Sequence, residues 1–265
     1  LRRLSFAATV LVIVLATVII SFMFYALRAR KRKQLLQHQM DEMRISFFTN
    51  ITHEFRTPLT VILGYSHMLE EGKVPAGDIR KVGSMVSRQG SRLLSLINQL
   101  LDIQKVKSAI GQPDWHRGDV VLFISNIVEG YLNLAHSRGI RILYAPKQQD
   151  YVCDFVPDYA QKVVCNLVTN AIKFSKEGGT LGISVTTKGT KANITISNEG
   201  DTIPPEETSL IFDRFHKTDH SRSVDRDGVG LGLYIVKTIL NSHKENITCT
   251  SEDGVTKFTF TLTRA

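Results

Sequence analysis

The fold of the N-terminal half is decided by residues 45–69, which read ISFFTNITHEFRTPLTVILGYSHML. Apolar residues recur there at alternating steps of three and four, the spacing of a helix that packs against other helices. The two rows of this seam are Ile45, Thr52, Leu59 and Ser66, and Phe48, Phe55, Ile62 and Leu69. His53 lies one position from the seam with Glu54 beside it, so we expect its imidazole on the flank of a bundle, available as a nucleophile.

A second apolar helix follows after a turn. Residues 72–77 contain two glycines and Pro75 and predict the turn, and residues 78–107 repeat the seam spacing. The second seam consists of Val82, Val86, Gln89, Leu93, Leu96, Leu100 and Ile103. Two antiparallel helices cannot bury both seams alone, so we expect a homodimer whose two hairpins form a four-helix bundle. The alternative is a hairpin that packs on the C-terminal domain of its own chain.

The distribution of charge excludes nucleic acid as a partner. The net charge is +8, but seven of the 33 basic residues lie within the first 33 residues, where no acidic residue occurs. The rest of the chain has 26 basic against 25 acidic residues, so it offers no basic face for the phosphate backbone of a nucleic acid. The three cysteines are odd in number and lack metal-ligand spacing, which indicates inert thiols in a reducing compartment.

The segment of residues 4–27 contains no charged residue and predicts a transmembrane helix. Roughly 20 apolar residues cross a bilayer, whereas the apolar part of a signal peptide is shorter. Five basic residues within 28–33 place the following part in the cytoplasm. We therefore expect residues 1–3 on the extracytoplasmic side, one span through the lipid bilayer, and a helical connector over 28–44. The first residue is Leu rather than Met, so we also expect a longer chain with a sensor before this part.

The chain after the helical domain of residues 45–110 mixes strand and helix patterns up to residue 265. Alternating β-branched segments predict strands near Trp115 and at 140–145, 180–187, 192–197, 246–251 and 257–262. Helical patterns occur at 119–138, 157–174 and 231–242. Strands with one buried face need helices to cover it, so the expected fold of residues 111–265 is an α+β two-layer sandwich.

Two asparagines on the predicted helix 157–174 are candidate metal ligands. Asn166 and Asn170 are four residues apart, which places both amides on one helix face. Amide oxygens suit Mg²⁺, and Lys173, a turn further along, suits a phosphate. Taken alone, such asparagines are more often solvated or capping residues.

The segment GVGLGL, residues 228–233, is a candidate phosphate-binding loop because it opens a predicted helix. Close-set glycines let the backbone approach an anion, and a helix N-terminus offers free N–H groups to it. Its spacing fits neither the dinucleotide-binding fingerprint nor the P-loop. The polar stretch before it is either a surface loop or a lid over a nucleotide.

Four segments, in this order, resemble the H, N, F and second glycine boxes of bacterial sensor histidine kinases. They are HEFRTPL at 53–59, NLVTNAIKF at 166–174, FDRF at 212–215 and GVGLGL at 228–233. The resemblance covers nearly everything from Met43 to the end of the chain. It implies a membrane-bound kinase of a two-component system. Residues 45–110 would be its dimerisation and phosphotransfer domain, and 111–265 its catalytic domain of the Bergerat ATP-binding fold.

The resemblance also implies the chemistry of the first domain. His53 would be autophosphorylated by ATP and would pass the phosphoryl group to an aspartate on the receiver domain of a response regulator. Glu54 would fix the tautomer of the imidazole or take its proton. Thr57 matches the family's phosphatase pattern, in which its hydroxyl orients a water molecule. The alternative for Thr57 is a helix-interior threonine bonded to the preceding turn.

The catalytic domain would bind ATP with Mg²⁺. The implied ATP-binding residues are Asn166, Asn170, Lys173, Phe174, Asn198, Gly200, Ile203, Phe212, Gly228, Gly230, Leu231 and Gly232. Asn166 and Asn170 would hold the metal, and Arg214 and Lys173 would stabilise charge on the transferred phosphoryl group. Either Phe174 or Ile203 packs on the adenine.

The first glycine box departs from the family's Asp-x-Gly-x-Gly, because this chain has Asn198 and Thr202 in place of the aspartate and the second glycine. An amide oxygen accepts a hydrogen bond from adenine less strongly than a carboxylate, a loss of about 1 kcal/mol. Thr202 adds ~1–2 kcal/mol if its backbone must be left-handed. Together these changes would weaken ATP binding by about one to three orders of magnitude. We expect a tolerated variant; the alternatives are a catalytically silent signalling scaffold and an ATPase without protein phosphorylation.

Overall fold

The computed structural model describes residues 2–108, 113–144, 151–219, 221 and 228–265, with the backbone only for residues 2–14 and 16. The chain divides into two compact units, and the division falls between Arg56 and Thr57. The predicted domain boundary between residues 110 and 111 lies outside the described residues and stays a prediction.

Two long helices form the hairpin that the seam spacing predicts. α1 covers Arg2–Glu70 and α2 covers Ile79–Ser108, and the turn between them includes a 3₁₀ segment at Ala76–Asp78. α1 runs without a break through the predicted span, the helical connector and the seam, because neither glycine nor proline interrupts the chain before Pro58. The helical hairpin is confirmed, and Pro58 lies inside the first helix without ending it.

The prediction of a membrane span is wrong. Within the part of the chain that the structure describes, no helix contains a stretch that is both long and apolar enough to cross a membrane. The transmembrane helix at 4–27 and the predicted location in the bacterial membrane are corrected accordingly.

The C-terminal part folds into a seven-stranded sheet in the order β1-β3-β7-β5-β4-β2, with β6 also paired to β7. Only β2 and β4 pair in parallel among these strands. The strands are β1 His116–Asp119, β2 Arg141–Tyr144, β3 Val152–Phe155, β4 Thr180–Lys188, β5 Lys191–Glu199, β6 Ile247–Glu252 and β7 Val255–Arg264. Buried and half-buried residues alternate along β5, so one face of the sheet is covered.

The described residues of this part also form the helices α3 Val120–Glu129, α4 Leu132–His136, α5 Pro157–Phe174 and α6 Gly232–Ser242. α5 packs on β5, on α3 and on α6, which gives the predicted sandwich of a sheet and a helical layer. α2 packs on α6, and Lys162 of α5 forms an ion pair with Asp102 of α2. Within one chain α2 therefore packs on the C-terminal part.

Two local predictions are wrong. The single helix predicted at 119–138 is divided at Gly130, where the Gly130 N–H donates to the Ile127 carbonyl three residues back, at 3.2 Å. A glycine favours such an ending because it stabilises a helix least among the residues other than proline. Strand β3 was not predicted at all, because its four residues carry no alternation that distinguishes them from a loop.

Candidate functional site

A cleft of about 480 Å³ opens between α5, the end of β5 and the segment that leads into α6. The structure brings ten of the predicted ATP-binding residues to its walls. They are Asn166, Asn170, Lys173, Phe174, Asn198, Ile203, Gly228, Gly230, Leu231 and Gly232. Gly200, Phe212 and Arg214 do not line it. Their roles in nucleotide binding stay predictions.

The paired asparagines project from the middle of α5, whose buried face includes Val163, Leu167 and Val168. The Asn166 amide nitrogen donates to the Lys162 carbonyl at 2.8 Å, one turn back on the same helix. This bond orients the Asn166 Oδ1 away from its own backbone. A Cβ atom added to Gly232 would lie only 2.8 Å from that oxygen, so Gly232 allows the start of α6 to approach Asn166.

The glycine segment keeps the start of α6 open. Gly230 has φ of +76°, and a Cβ atom there would come within 2.9 Å of the His216 carbonyl oxygen. Leu231, the residue that precedes the helix, makes no side-chain cap. The first N–H groups of α6 are thus left for a ligand, which is the arrangement in which helix N-termini bind phosphate.

The opposite wall of the cleft is built where β5 meets α5. Asn198 is buried, with 4% of its surface exposed, and its amide nitrogen donates to the Phe174 carbonyl at 3.4 Å. Its Oδ1 is therefore the atom left to accept a hydrogen bond from a ligand. Gly200 forms an isolated β-bridge with Ser175, and a Cβ atom on Gly200 would lie 2.1 Å from the Phe174 carbonyl oxygen. Gly200 is required for this close approach although it does not line the cleft.

Thr202 does not have the left-handed, strained backbone that the sequence analysis considered for it. It is not among the described residues with positive φ, which apart from glycines are Phe215, Lys244 and Asp253. Its hydroxyl accepts a hydrogen bond from the Gly254 N–H at 3.0 Å. The neighbouring Ile203 is held by its N–H, which donates to the Ser251 hydroxyl at 2.8 Å. The altered first glycine box is therefore accommodated without a strained backbone at this position.

Phe212 and Arg214 contribute to the packing beside the cleft. Phe212 is buried and contacts Phe258 edge to face, with ring centroids 6.2 Å apart. An Arg214 guanidinium nitrogen donates to the Tyr234 hydroxyl at 2.5 Å, and the guanidinium lies over the Tyr234 ring at 4.6 Å. The Arg214 contact holds the segment after β5 against α6, and the Phe212 contact holds it against β7.

Several cleft residues were not predicted from the sequence. Thr256 and Phe258 of β7 line it, and so does Gln99 of α2. Glu207 and His216 line it as well, with the His216 Nε2 and the Glu207 Oε2 3.7 Å apart. The alternation of β7 could have indicated that Thr256 and Phe258 share a face. Nothing in the local sequence relates Gln99 to this cleft, because the relation arises from packing between helices.

The predicted phosphotransfer residues lie on α1. His53 and Thr57 are exposed, and Glu54 is half-buried. Thr52, just before the histidine, donates from its hydroxyl to the Phe48 carbonyl at 2.8 Å. An exposed histidine with an adjacent carboxylate meets the requirement for a nucleophile that a phosphoryl donor can reach.

The donor set of the cleft fits a magnesium–nucleotide complex. Mg²⁺ prefers oxygen ligands and is commonly held by one or two protein groups, water and substrate phosphates. Asn166 and Asn170 offer two amide oxygens beside the open start of α6. Elsewhere in the described ranges, no group of three or more His, Cys, Asp and Glu side chains is arranged to hold a metal ion.

The thiols lie outside the cleft, and burial makes two of them unreactive. Burial raises the pKa of Cys153 to about 11 and that of Cys249 to about 12, so both stay protonated at neutral pH.

Comparison with known families matches both parts of the chain. Residues 43–109 match the model of the His Kinase A (phospho-acceptor) domain, and residues 156–265 match that of the histidine kinase-, DNA gyrase B-, and HSP90-like ATPases. His53 lies in the first match, and the cleft residues Asn166, Asn198 and Gly232 lie in the second. The sequence-based assignment of the two domain types is confirmed.

Individual relatives that resemble this chain are longer proteins. The chain is 32% identical over 230 residues to the sensor histidine kinase WalK of Bacillus subtilis, and the alignment covers 85% of this chain and 38% of WalK. It is 28% identical over 221 residues to the sensor protein SrrB of Staphylococcus aureus, covering 82% of this chain and 37% of SrrB. The chain thus spans less than half the length of both relatives.

A solved structure agrees with the fold. The crystal structure of full-length ShkA in complex with AMPPNP superposes with a TM-score of 0.61 at 25% identity, and the match covers 82% of this chain and 46% of ShkA.

Proposed function

We propose that this chain, which contains the phosphoacceptor and ATPase domains of the histidine kinase family, is the kinase part of a two-component sensor. It binds ATP in the cleft, phosphorylates His53, and passes the phosphoryl group to an aspartate on a response-regulator receiver domain. The observation that carries this proposal is the cleft itself, where paired amides, close-set glycines and an open helix start meet within a matched ATPase domain.

The triphosphate binds at the start of α6, and the adenine binds near Asn198. The free N–H groups after Leu231 suit the phosphates, and the Asn198 Oδ1 suits the adenine amino group. Phe174 and Ile203, both in the cleft wall, are the candidates for packing on the base. ShkA, which was solved with an ATP analogue, supports nucleotide binding in this fold.

Asn166 and Asn170 hold Mg²⁺, which neutralises phosphate charge when it is bound. Lys173, one turn beyond Asn170, adds a positive charge at the same face of α5. Arg214 does not line the cleft in this structure. Its side chain contacts Tyr234 of α6, the helix whose start forms one wall of the cleft.

At the phosphotransfer step, one ring nitrogen of His53 forms a bond to the γ-phosphorus while the bond between that phosphorus and the β,γ-bridging oxygen breaks. ADP leaves with the electron pair of the broken bond. Glu54 hydrogen-bonds the N–H of the other ring nitrogen, which fixes the attacking tautomer, and takes that proton. The phosphohistidine then transfers its phosphoryl group to the aspartate of the response regulator.

The chain functions as a homodimer in this proposal. Apolar side chains of α1 are exposed in the single chain, among them Ile45 at 67% and Phe48 at 62%. Both belong to the predicted seam, and a second hairpin would bury them. Thr57, on the same helix, is proposed to orient water for hydrolysis of the regulator's aspartyl phosphate.

Replacement of the nucleophile tests the proposal. His53→Gln should abolish the alkali-stable, acid-labile label that the chain acquires from γ-labelled ATP, because glutamine cannot form the phosphoramidate. His67→Gln is the matched control, since His67 is also an exposed histidine of α1 with a nearby carboxylate, Glu70 at 3.5 Å. The control should keep the label, and a label that persists on His53→Gln would refute the assignment.

The silent scaffold remains a second candidate because Asn198 replaces the family's aspartate. It predicts no saturable binding of Mg-ATP at millimolar concentration, whereas the kinase predicts binding. Thr202 gives the scaffold little support, because its backbone is not left-handed.

A further inference from the structure

Gln99 is a polar residue within a buried apolar stripe of α2. Leu96, Ile103 and Val106 are 1%, 3% and 2% exposed, and with Gln99 they follow the three-and-four spacing of one helix face. α2 packs on α6, so this face is turned towards the C-terminal part of the chain. An apolar side chain at position 99 would serve this packing without the cost of a buried amide.

The Gln99 amide oxygen lacks a protein partner at the edge of the cleft. Gln99 lines the cleft, and its Oε1 is buried with no hydrogen bond from the residues that the structure describes. A buried acceptor without a donor costs stability, so such atoms in proteins generally have a partner. A bound molecule in the cleft is the natural source of that donor.

The ion pair between Lys162 and Asp102 brings the segment of α2 that carries Gln99 next to the segment of α5 that carries Asn166. Gln99 precedes Asp102 by three residues on α2, and Asn166 follows Lys162 by four residues on α5. Each is thus about one helical turn, roughly 4.5–6 Å of rise, from the contact that joins the two helices. Both line the same cleft. Gln99 and Asn166 are thus both near the contact between α2 and α5, and Asn166 in turn lies against the start of α6.

We propose that Gln99 is an outer-sphere ligand of the nucleotide-bound Mg²⁺, supplied to the cleft by the phosphotransfer hairpin. Phosphate oxygens have no proton to give to Oε1, whereas Mg²⁺ retains several water molecules that can donate. Groups that hydrogen-bond the ligands of a metal typically tune its binding by an order of magnitude or more. The inference rests on the proposed nucleotide site, and it makes metal binding depend on the packing of α2 on α6.

The test measures binding of the nonhydrolysable analogue AMPPNP to the full chain by calorimetry, with Mg²⁺ and with the metal chelated. Gln99→Met keeps the length of the side chain and removes the amide. This substitution should weaken the binding of AMPPNP about fivefold when Mg²⁺ is present, which corresponds to the free energy of one hydrogen bond. It should leave the binding of AMPPNP without metal unchanged. Gln104→Met, at an exposed position of the same helix, is the matched control and should change neither value.

Gln99→Glu gives an independent readout. A carboxylate should weaken metal-free binding several-fold through repulsion of the triphosphate, and should lower the Mg²⁺ concentration that gives half-maximal binding. Thermal unfolding without nucleotide reports folding of each variant, and Gln99→Met should unfold at a temperature no lower than the parent because an unpaired buried amide is gone.

The outcomes separate the inference from the proposed function. Equal losses with and without metal, or no loss for Gln99→Met, would overturn the role of Gln99 and leave the nucleotide site intact. A parent chain that binds no AMPPNP under any condition would overturn both.

Discussion

Asn198 and Gly200 show how single residues determine the shape of the nucleotide cleft. Asn198 uses its amide nitrogen on the Phe174 carbonyl, a bond that the family's aspartate could not donate. The replacement therefore connects β5 to the end of α5 while it leaves one acceptor for a ligand. Gly200 allows the same approach of strand and helix through the absence of a side chain.

Gly200→Ala should destabilise the chain, because its Cβ would lie 2.1 Å from the backbone oxygen of Phe174, which cannot rotate away. We expect a loss of about 1–3 kcal/mol in the free energy of unfolding, the usual cost of overpacking, measured in urea. Gly182→Ala is the control on the adjacent strand, where the new Cβ meets the Ser197 hydroxyl at 2.7 Å and that side chain can change rotamer. Equal effects of the two substitutions would show that the Gly200 contact is not rigid.

The helix α2 has two roles that its sequence pattern does not separate. Its seam was predicted from spacing alone, and part of it, including Leu96 and Ile103, is buried in the single chain. Leu94 and Leu101 on another face are 59% and 52% exposed. The helix thus has one apolar face that packs on its own chain and another that is accessible to a second hairpin.

Leu96→Ala should reduce the free energy of unfolding by about 2–5 kcal/mol, because it leaves a cavity at a residue that is 1% exposed. Leu122→Ala removes the same atoms from α3 at a site that is 60% exposed, and its effect should stay within about 1 kcal/mol. Urea unfolding of both variants measures the difference. A small effect at Leu96 would mean that this face of α2 is not buried in solution.

The free energy of unfolding of the folded chain at low pH depends on buried carboxylates such as Glu245. Its side chain is 4% exposed, and it accepts hydrogen bonds from Lys191 at 2.7 Å and from Thr261 and Thr263 at 2.6 Å each. Burial raises the pKa of this carboxyl, but the three hydrogen bonds and the positive charge of Lys191 together lower it by more, so its net pKa lies below the ordinary glutamate value. A depressed pKa means that the folded state favours the ionised form.

The stability from Glu245 is therefore present above about pH 4.5 and is lost as the pH falls through the lower pKa of the folded state. Glu245→Gln should lower the free energy of unfolding near pH 7 by about 1–3 kcal/mol and should flatten its decline below pH 4.5. Unfolding in urea at several pH values measures both effects. Glu252→Gln, at an exposed position of β6, is the control, and a Glu245→Gln profile parallel to the parent's would contradict the prediction.

The sequence by itself determined the helical hairpin, α5 with its asparagines and the glycine segment before α6, because residue spacing and glycine chemistry act over a few residues. The prediction of a membrane span rested on the same local reasoning and was wrong. Only the tertiary structure decided that β3 pairs with β7, that Thr202 is unstrained and that Gln99 of α2 reaches the cleft. These features depend on contacts between residues that are tens of positions or more apart in the chain, and no local pattern encodes such contacts.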